Sequence, residues 1–424
     1  MSTFSREFRK AAALFIVLLL TASGAFADGH CDFADETIKI GGIAPLSPPG
    51  STGAGVVIDW AYKQAAADIN ADCGIDIAGV NHRLEVITGD SEGVSERGQA
   101  LAERWIFEDD VHGVVGGYHS AVALALMKLT QEHGIPTLFA GPWNDNITAN
   151  GIIEFEGRSP RIESGVDYIF RTSPANSMVA AVVADWIIEL GLQDVIIVAE
   201  TTDWGQPAAA DETVLLEAAG VNVEQYDIEL GTEDFVPILS RVQARSEPVD
   251  AVHVIVSGET GFNLNQQMAE LGIAPSADTI CIAESVAGDS GPWWEAVPDG
   301  NYCAFPRVGA TPALFGEIAH HLNDRYTEAY GGVAPSFALE PYDSVLLIAH
   351  AMDLADSYED GAAIVAALET IDVDLAQGRY YFEYGSHNPD LPAVYPPTCG
   401  INGRIRSRQW CNTSSRTKMR WMPR

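Results

Sequence analysis

Residues 112–126 read HGVVGGYHSAVALAL, and this stretch decides the fold. Val111 to Val115 reads as a buried strand, Gly116-Gly117 as a turn, and the apolar run from Ala121 as a helix. Ser120 stands where a helix N-cap belongs. A strand that passes through a glycine turn into a helix start aims free backbone N–H groups at one point. The helix dipole adds partial positive charge there, which suits an anion or a carboxylate. The other reading is an ordinary βα turn with a serine cap. The rest of the chain has to separate the two.

Working outward, the same strand–turn–helix unit recurs. Thr37 to Ile43 is a strand entering a Gly/Pro/Ser-rich loop at 44–53, and Val56 to Asn70 is helical, with Ile58, Tyr62, Ala66 and Ile69 on one face. Leu84 to Gly89 and Ile135 to Ala140 are further strands, with a helix from about Ser95 to Glu108 before the opening stretch. After an extended connection at 168–174 the alternation restarts. Strands are expected at 194–199, 221–229, 251–257 and 279–283, with helices between them. Short strands alternating with helices of this length predict βαβ units and parallel sheets. The C-terminal third offers helices at 312–330, 339–355 and 361–371 and a small hairpin strand at 379–384. Too few strands remain there for a third sheet, so these helices are expected to pack back on two lobes that are discontinuous in sequence.

Composition narrows the class. The chain has 424 residues and is 47% hydrophobic, with a formal net charge of −35. That length predicts two or three domain-sized units, and the charge argues against nucleic acid and anionic membranes as partners. Arg6, Arg9 and Lys10, an apolar run from Ala11 to Leu20, and Ala25-Phe26-Ala27 form the three regions of a signal peptide, so cleavage is expected after Ala27 and export to the periplasm follows. Later segments are too broken by polar residues to span a bilayer. The Asp28-Gly29-His30 start left by that cleavage has the nitrogen set of a Cu(II) or Ni(II) chelate, although such triplets also arise by chance. Export permits disulfides among the six cysteines. Cys31 with Cys73 and Cys281 with Cys303 are the pairings we expect, with connectivity otherwise open; no spacing resembles a zinc site.

Enzymatic signatures are missing. GGYHS is not GxSxG, and GxGxxG after a strand, GxxxxGK[ST], HExxH and CxxC do not occur. A protein that is not an enzyme and carries no cofactor is therefore expected. Tyr118, Trp143 and Trp204 either wall an apolar or cationic ligand or simply pack in a core. Glu284 is either a cleft acid or a solvated loop acid, and His119 is read as a rim residue.

The order and spacing of IKIGGIAPLSPPGSTG (38–53), DINADCGIDIAG (68–79), VHGVVGGYHSAVALA (111–125), IPTLFAG (135–141), FRTSPANS (170–177), DWG (203–205) and YDSVLLIAHAM (342–352) resemble a known family. It is that of the substrate-binding proteins of branched-chain amino acid ABC transporters, with the type I periplasmic-binding fold. The resemblance covers roughly residues 36–390. It implies two Rossmann-like lobes with a ligand cleft between them, and delivery of a small amino acid-like ligand to an inner-membrane ABC permease. A sensory ligand-binding module on the same fold is the alternative, as is a ligand that is an amide or carboxylate other than a branched-chain amino acid. By resemblance, Ser120 holds the ligand carboxylate and the loop Ala140, Gly141 to Trp143 contributes contacts. Trp204 before Gly205 closes over the ligand, and Glu284 meets its ammonium. Trp143 departs from the family's usual threonine. The implied division is a first lobe over 36–172 plus about 308–376, and a second over 173–307 plus about 377–398.

The segment 399–424 holds seven of the chain's 24 Lys and Arg residues and no acid. We read it as a frameshift product. Synonymous codons read one base earlier allow MWHQWPDP, similar to the aromatic, acidic ending of relatives after a segment like GSHNPDLP (385–392). On that reading the second lobe lacks its final strand, and Cys399 and Cys411 have no designed role.

Overall fold

The protein is described by a computed structural model covering residues 31–148, 167–284, 291–382, 394–401 and 404–406. The signal-peptide region, the Asp28-Gly29-His30 triplet, the 385–392 segment and the chain beyond Arg406, with Cys411, lie outside the described residues.

The first lobe is built in chain order from β1 (Phe33–Ala44), α1 (Thr52–Ala71), β2 (Ile75–Ile77), β3 (Val80–Asp90), α2 (Ser95–Arg104), β4 (Val114–Gly116), α3 (Ser120–Glu132), β5 (Thr137–Phe139) and β6 (Ile169–Arg171). Its sheet runs β2-β3-β1-β4-β5-β6, parallel except for the β2–β3 hairpin. Both faces of β1 are covered. Ile38, Ile40 and Ala44 face one core and Ile43 the other, which is why this strand is apolar without alternation.

The second lobe continues with α4 (Asn176–Leu190), β7 (Asp194–Glu200), α5 (Gly205–Ala218), β8 (Asn222–Ile228), α6 (Val236–Gln243), β9 (Ala251–Ile255), α7 (Gly258–Glu270), β10 (Ile280–Ala283), α8 (Gly291–Ala296) and β11 (Ala304–Val308). Helices α9 (Glu317–Tyr330), α10 (Ser336–Ala355) and α11 (Gly361–Leu368) follow, then the hairpin β12 (Asp372–Leu375) and β13 (Gly378–Tyr381), and finally β14 (Val394–Ile401) and β15 (Arg404–Arg406). The second sheet runs β15-β14-β11-β10-β9-β7-β8. The α/β fold with two parallel-sheet lobes is thus the one the sequence predicts. Helices α9 to α11 return to the first core, where Leu322, Tyr326, Leu339, Tyr342, Ile348 and Ile364 are buried.

Two expectations are corrected. Ala376, Tyr380 and Phe382 pack in the first core, with Phe382 edge-on to Phe170 at 5.1 Å. The hairpin placed with the second lobe from position 377 therefore packs with the first. Its anchor is Asp343, whose carboxylate accepts the Ala376 and Gln377 N–H groups at 2.9 and 2.8 Å. The second lobe also has a strand after β11, because Val394–Ile401 pairs antiparallel with it, from Val308↔Val394 to Ala304↔Cys399. A sheet ladder uses backbone groups that nearly any sequence supplies, and Pro396-Pro397 falls where the register shifts between Phe305 and Arg307.

Disulfides join Cys31 to Cys73, tying the start of β1 to the end of α1, and Cys281 to Cys303, tying β10 to the approach of β11.

Candidate functional site

In both sheets the strand order reverses beside a central strand, between β1 and β4 in the first and between β7 and β9 in the second. Loops at the carboxyl ends of parallel strands diverge at such points and leave a crevice. Here the two crevices face each other. A cavity of about 70 Å³ lies between the lobes, lined by Tyr118, His119, Ser120, Gly141 and Trp143 of the first and by Glu200, Thr202, Trp204, Leu230 and Ser257 of the second. Its walls are in contact. Gly53 donates to Glu259 Oε1 at 3.4 Å, and Asn144 Nδ2 donates to the Asp203 carbonyl.

The first wall is set by Tyr62. Its buried hydroxyl donates to the Ile43 carbonyl at 2.9 Å and lies 3.2 Å from that of Val115, locking the ends of β1 and β4 together. Gly116 lies directly over this ring. It has φ +89°, and a Cβ there would fall 1.4 Å from the Tyr62 oxygen. No other residue fits, so the chain must turn at this glycine before entering α3.

Ser120 is the first residue of α3, with His119 at the N-cap in an extended conformation and no side chain capping the helix. The serine-cap reading is therefore overturned. Ser120 Oγ instead accepts the Asn144 N–H at 3.2 Å, which leaves its own proton for a ligand. Both ring nitrogens of His119 are buried without partner, and burial pushes the ring down to about 4, so it is neutral.

The loop at 141–144 is held from behind by Arg171. This buried guanidinium donates to the Pro142, Pro174 and Asn144 carbonyls at 3.2, 2.9 and 2.7 Å and to Thr148 Oγ1 at 2.5 Å. Burial pushes it down to about 10, with Asp145 opposing. Trp143 thus projects rigidly from the first lobe and is buried in the core of the second. It meets Trp204 edge-on at 6.0 Å, and its Nε1 is buried with no partner.

The second wall contains an acid that the sequence reading did not weigh. Glu200 ends β7 and is 2% exposed. Its Oε2 accepts the Ser257 N–H and hydroxyl, both at 2.7 Å, and its Oε1 accepts Thr202 Oγ1 at 2.6 Å. Thr202 Oγ1 in turn accepts the Trp204 and Gly205 N–H groups at 3.3 and 3.2 Å, so the same network opens α5. Burial pushes the Glu200 carboxyl up, against the hydrogen bonds from Thr202 and Ser257. The signal for these residues was present. Glu200 and Ser257 are the first polar residues after the apolar runs 195–199 and 254–256, which is the carboxyl edge where such sheets bind.

Five of the residues singled out from sequence line the cavity: Tyr118, Ser120, Gly141, Trp143 and Trp204. Burial and the charge of Glu200 push the Tyr118 hydroxyl up. Ala140 does not line it; its N–H donates to the Gly116 carbonyl at 3.2 Å and carries the loop past β4. Glu284 does not line it either. Alternation along β10 sends its side chain to the same face as Ile282, away from Cys281 and Ala283. There Glu284 Oε2 lies 2.9 Å from His253 Nε2, whose Nδ1 lies 2.8 Å from Glu212 Oε2, all three residues being buried. Burial alone would push His253 down, but Glu212 and Glu284 outweigh it and lift the imidazole to about 10. The triad holds the His253 ring between two buried acids.

Comparison with known proteins agrees with this geometry. The family described as "Periplasmic binding protein" matches residues 37–393. A Leu/Ile/Val-binding protein homolog 7 from Brucella abortus is 23% identical over 87% of this chain and 94% of its own. Among solved structures, a solute-binding protein from R. palustris in complex with benzoate superposes with TM-score 0.73 at 18% identity, covering 88% of this chain and 96% of its own. A branched-chain amino acid transporter substrate-binding protein from Streptococcus pneumoniae in complex with isoleucine gives 0.72 at 21% identity, covering 88% and 98%. With the family match spanning most of the chain and two such lobes enclosing one cavity, the chain belongs to the periplasmic binding protein family.

Proposed function

We propose that this protein is an extracytoplasmic solute-binding protein that captures a small, amino acid-like molecule by lobe closure and delivers it to an ABC permease. The observation that carries the reading is the cavity itself, with unpartnered donors on one wall and a buried acid on the other. Ser120 Oγ and Trp143 Nε1 supply hydrogen bonds for a carboxylate or carbonyl, each charge-assisted bond contributing about 1.5–3 kcal/mol. The aromatic walls at Tyr118, Trp143 and Trp204 enclose the rest of the molecule. The signal-peptide pattern at 1–27 supports export, and no helix among the described residues is long and apolar enough to cross a membrane. A thermal-shift panel of amino acids, amides and small carboxylates tests the reading. Stabilisation by one class is expected, and the absence of any shift across the panel sinks it.

A further inference from the structure

Resting on that binding function, we infer that Glu200, and not Glu284, is the acid that recognises the ligand, and that the ligand carries a protonated amine. Three observations converge. First, the acid expected from the family resemblance is already engaged, because Glu284 points away from the cavity and pairs with the buried His253 at 2.9 Å. A ligand ammonium would have to displace an imidazolium that Glu212 also holds at 2.8 Å.

Second, among the described residues Glu200 is the only carboxylate lining the cavity, and no described lysine or arginine lines it. His119, the one titratable nitrogen among the described lining residues, is neutral. A ligand that is purely anionic would therefore face a buried acid with no side-chain cation to offset it. A ligand bearing a protonated amine neutralises that acid inside the closed site, where the interaction is stronger than in water.

Third, the hydrogen-bond count leaves a place for it. A carboxylate has about four lone-pair sites. Ser257 fills two of them, on Oε2, and Thr202 fills one, on Oε1. Among the described residues nothing fills the second site on Oε1. Trp143 and Trp204, which meet edge-on at 6.0 Å, line the same cavity, so it offers indole surface to a cation as well as a charge. The arrangement reads a molecule with a carbonyl or carboxylate at the Ser120 end and a cationic nitrogen at the Glu200 end.

The test is calorimetric titration of the purified full chain with L-leucine, with its des-amino analogue 4-methylpentanoate, and with benzoate, alongside an amine-bearing panel of other amino acids and amino amides. The same titrations are run on Glu200→Gln and Glu284→Gln. Amine-bearing ligands are expected to bind the wild type at least tenfold more tightly than amine-free ones. Glu200→Gln should lose at least tenfold for the amine-bearing set, while Glu284→Gln changes melting temperature but not affinity. Equal or tighter binding of 4-methylpentanoate or benzoate overturns the inference and leaves the binding function standing. So does a loss confined to Glu284→Gln. The comparison of ligands on the wild type decides the matter even if Glu200→Gln does not fold. No binding by any compound, with or without an amine, overturns the binding function and the inference with it.

Discussion

Ser257 donates to Glu200 twice, from its backbone N–H and its hydroxyl, both at 2.7 Å. Glu200 ends β7 and Ser257 follows β9, neighbouring parallel strands at the point where the strand order of the second sheet reverses. A two-point grip fixes the direction of the carboxylate as well as its position. On the proposed function this means that the acid is oriented before a ligand arrives, so little ordering would remain at the moment of capture.

Ser120→Ala removes the hydroxyl of a cavity-lining residue without removing a helix cap. Affinity for the captured ligand should fall roughly tenfold or more, read by calorimetry. Melting temperature of the free protein should move little, since the bond lost is one 3.2 Å contact to the Asn144 N–H. Unchanged affinity would show that the hydroxyl serves only the 141–144 loop.

His253→Leu leaves Glu212 and Glu284 buried without their cation. Removing one partner of a buried pair costs about 3–5 kcal/mol, read by urea unfolding at pH 7. The pH dependence has a definite sign. The folded imidazole is lifted to about 10 from 6.5, so its contribution is complete below pH 6.5 and is lost as pH rises toward 10. A wild-type stability that rises across that interval would contradict the triad.

Asp343 titrates in a lower window. Burial pushes its carboxyl up to about 7, against the bonds from Gln377 and Ala376. A raised value means that stability is complete near pH 4 and declines as pH rises through 7. Asp343→Ala, which strands two buried N–H groups, should cost about 1–3 kcal/mol for each. Asp343→Asn should flatten the profile between pH 4 and 7, which unfolding midpoints at several pH values can check.

Cys281 and Cys303 close a loop with a separation of 22 residues. Chain entropy assigns such a crosslink roughly 3 kcal/mol. The double serine variant should unfold at correspondingly lower urea. Reduction of the wild type, which also opens Cys31–Cys73, should lower the midpoint at least as far, and an unchanged midpoint in the double serine variant would show that the bridge contributes nothing.

The fold was legible because its signals are local. Apolar runs such as 195–199 end at polar residues, and Gly-Gly at 116–117 has a steric requirement that the Tyr62 hydroxyl makes explicit. Trp143 and Trp204 were legible for the same reason, since both stand in loops after strands. Glu284 was not. Whether a side chain at a strand end points to a cleft or to a helix layer depends on which face the alternation reaches at that residue. Here His253, a polar residue inside the apolar strand AVHVIV, lies on that same face. The hairpin at 372–381 was misplaced for a similar reason, as Asp343 captures it from a helix some 33 residues earlier in the chain.

By itself, then, the sequence determined the succession of strands and helices, the two-lobe class and the place of the crevice, because period, glycine turns and strand-end polarity act over a few residues. Only the tertiary structure decided which acid faces the cavity. Glu200, Thr202 and Ser257 come from two strand ends, and Glu212, His253 and Glu284 from three separate elements. Their pairing is set by which neighbours each buried charge finds. A buried carboxylate must be satisfied by donors or a cation, and those partners are chosen by packing across the sheet.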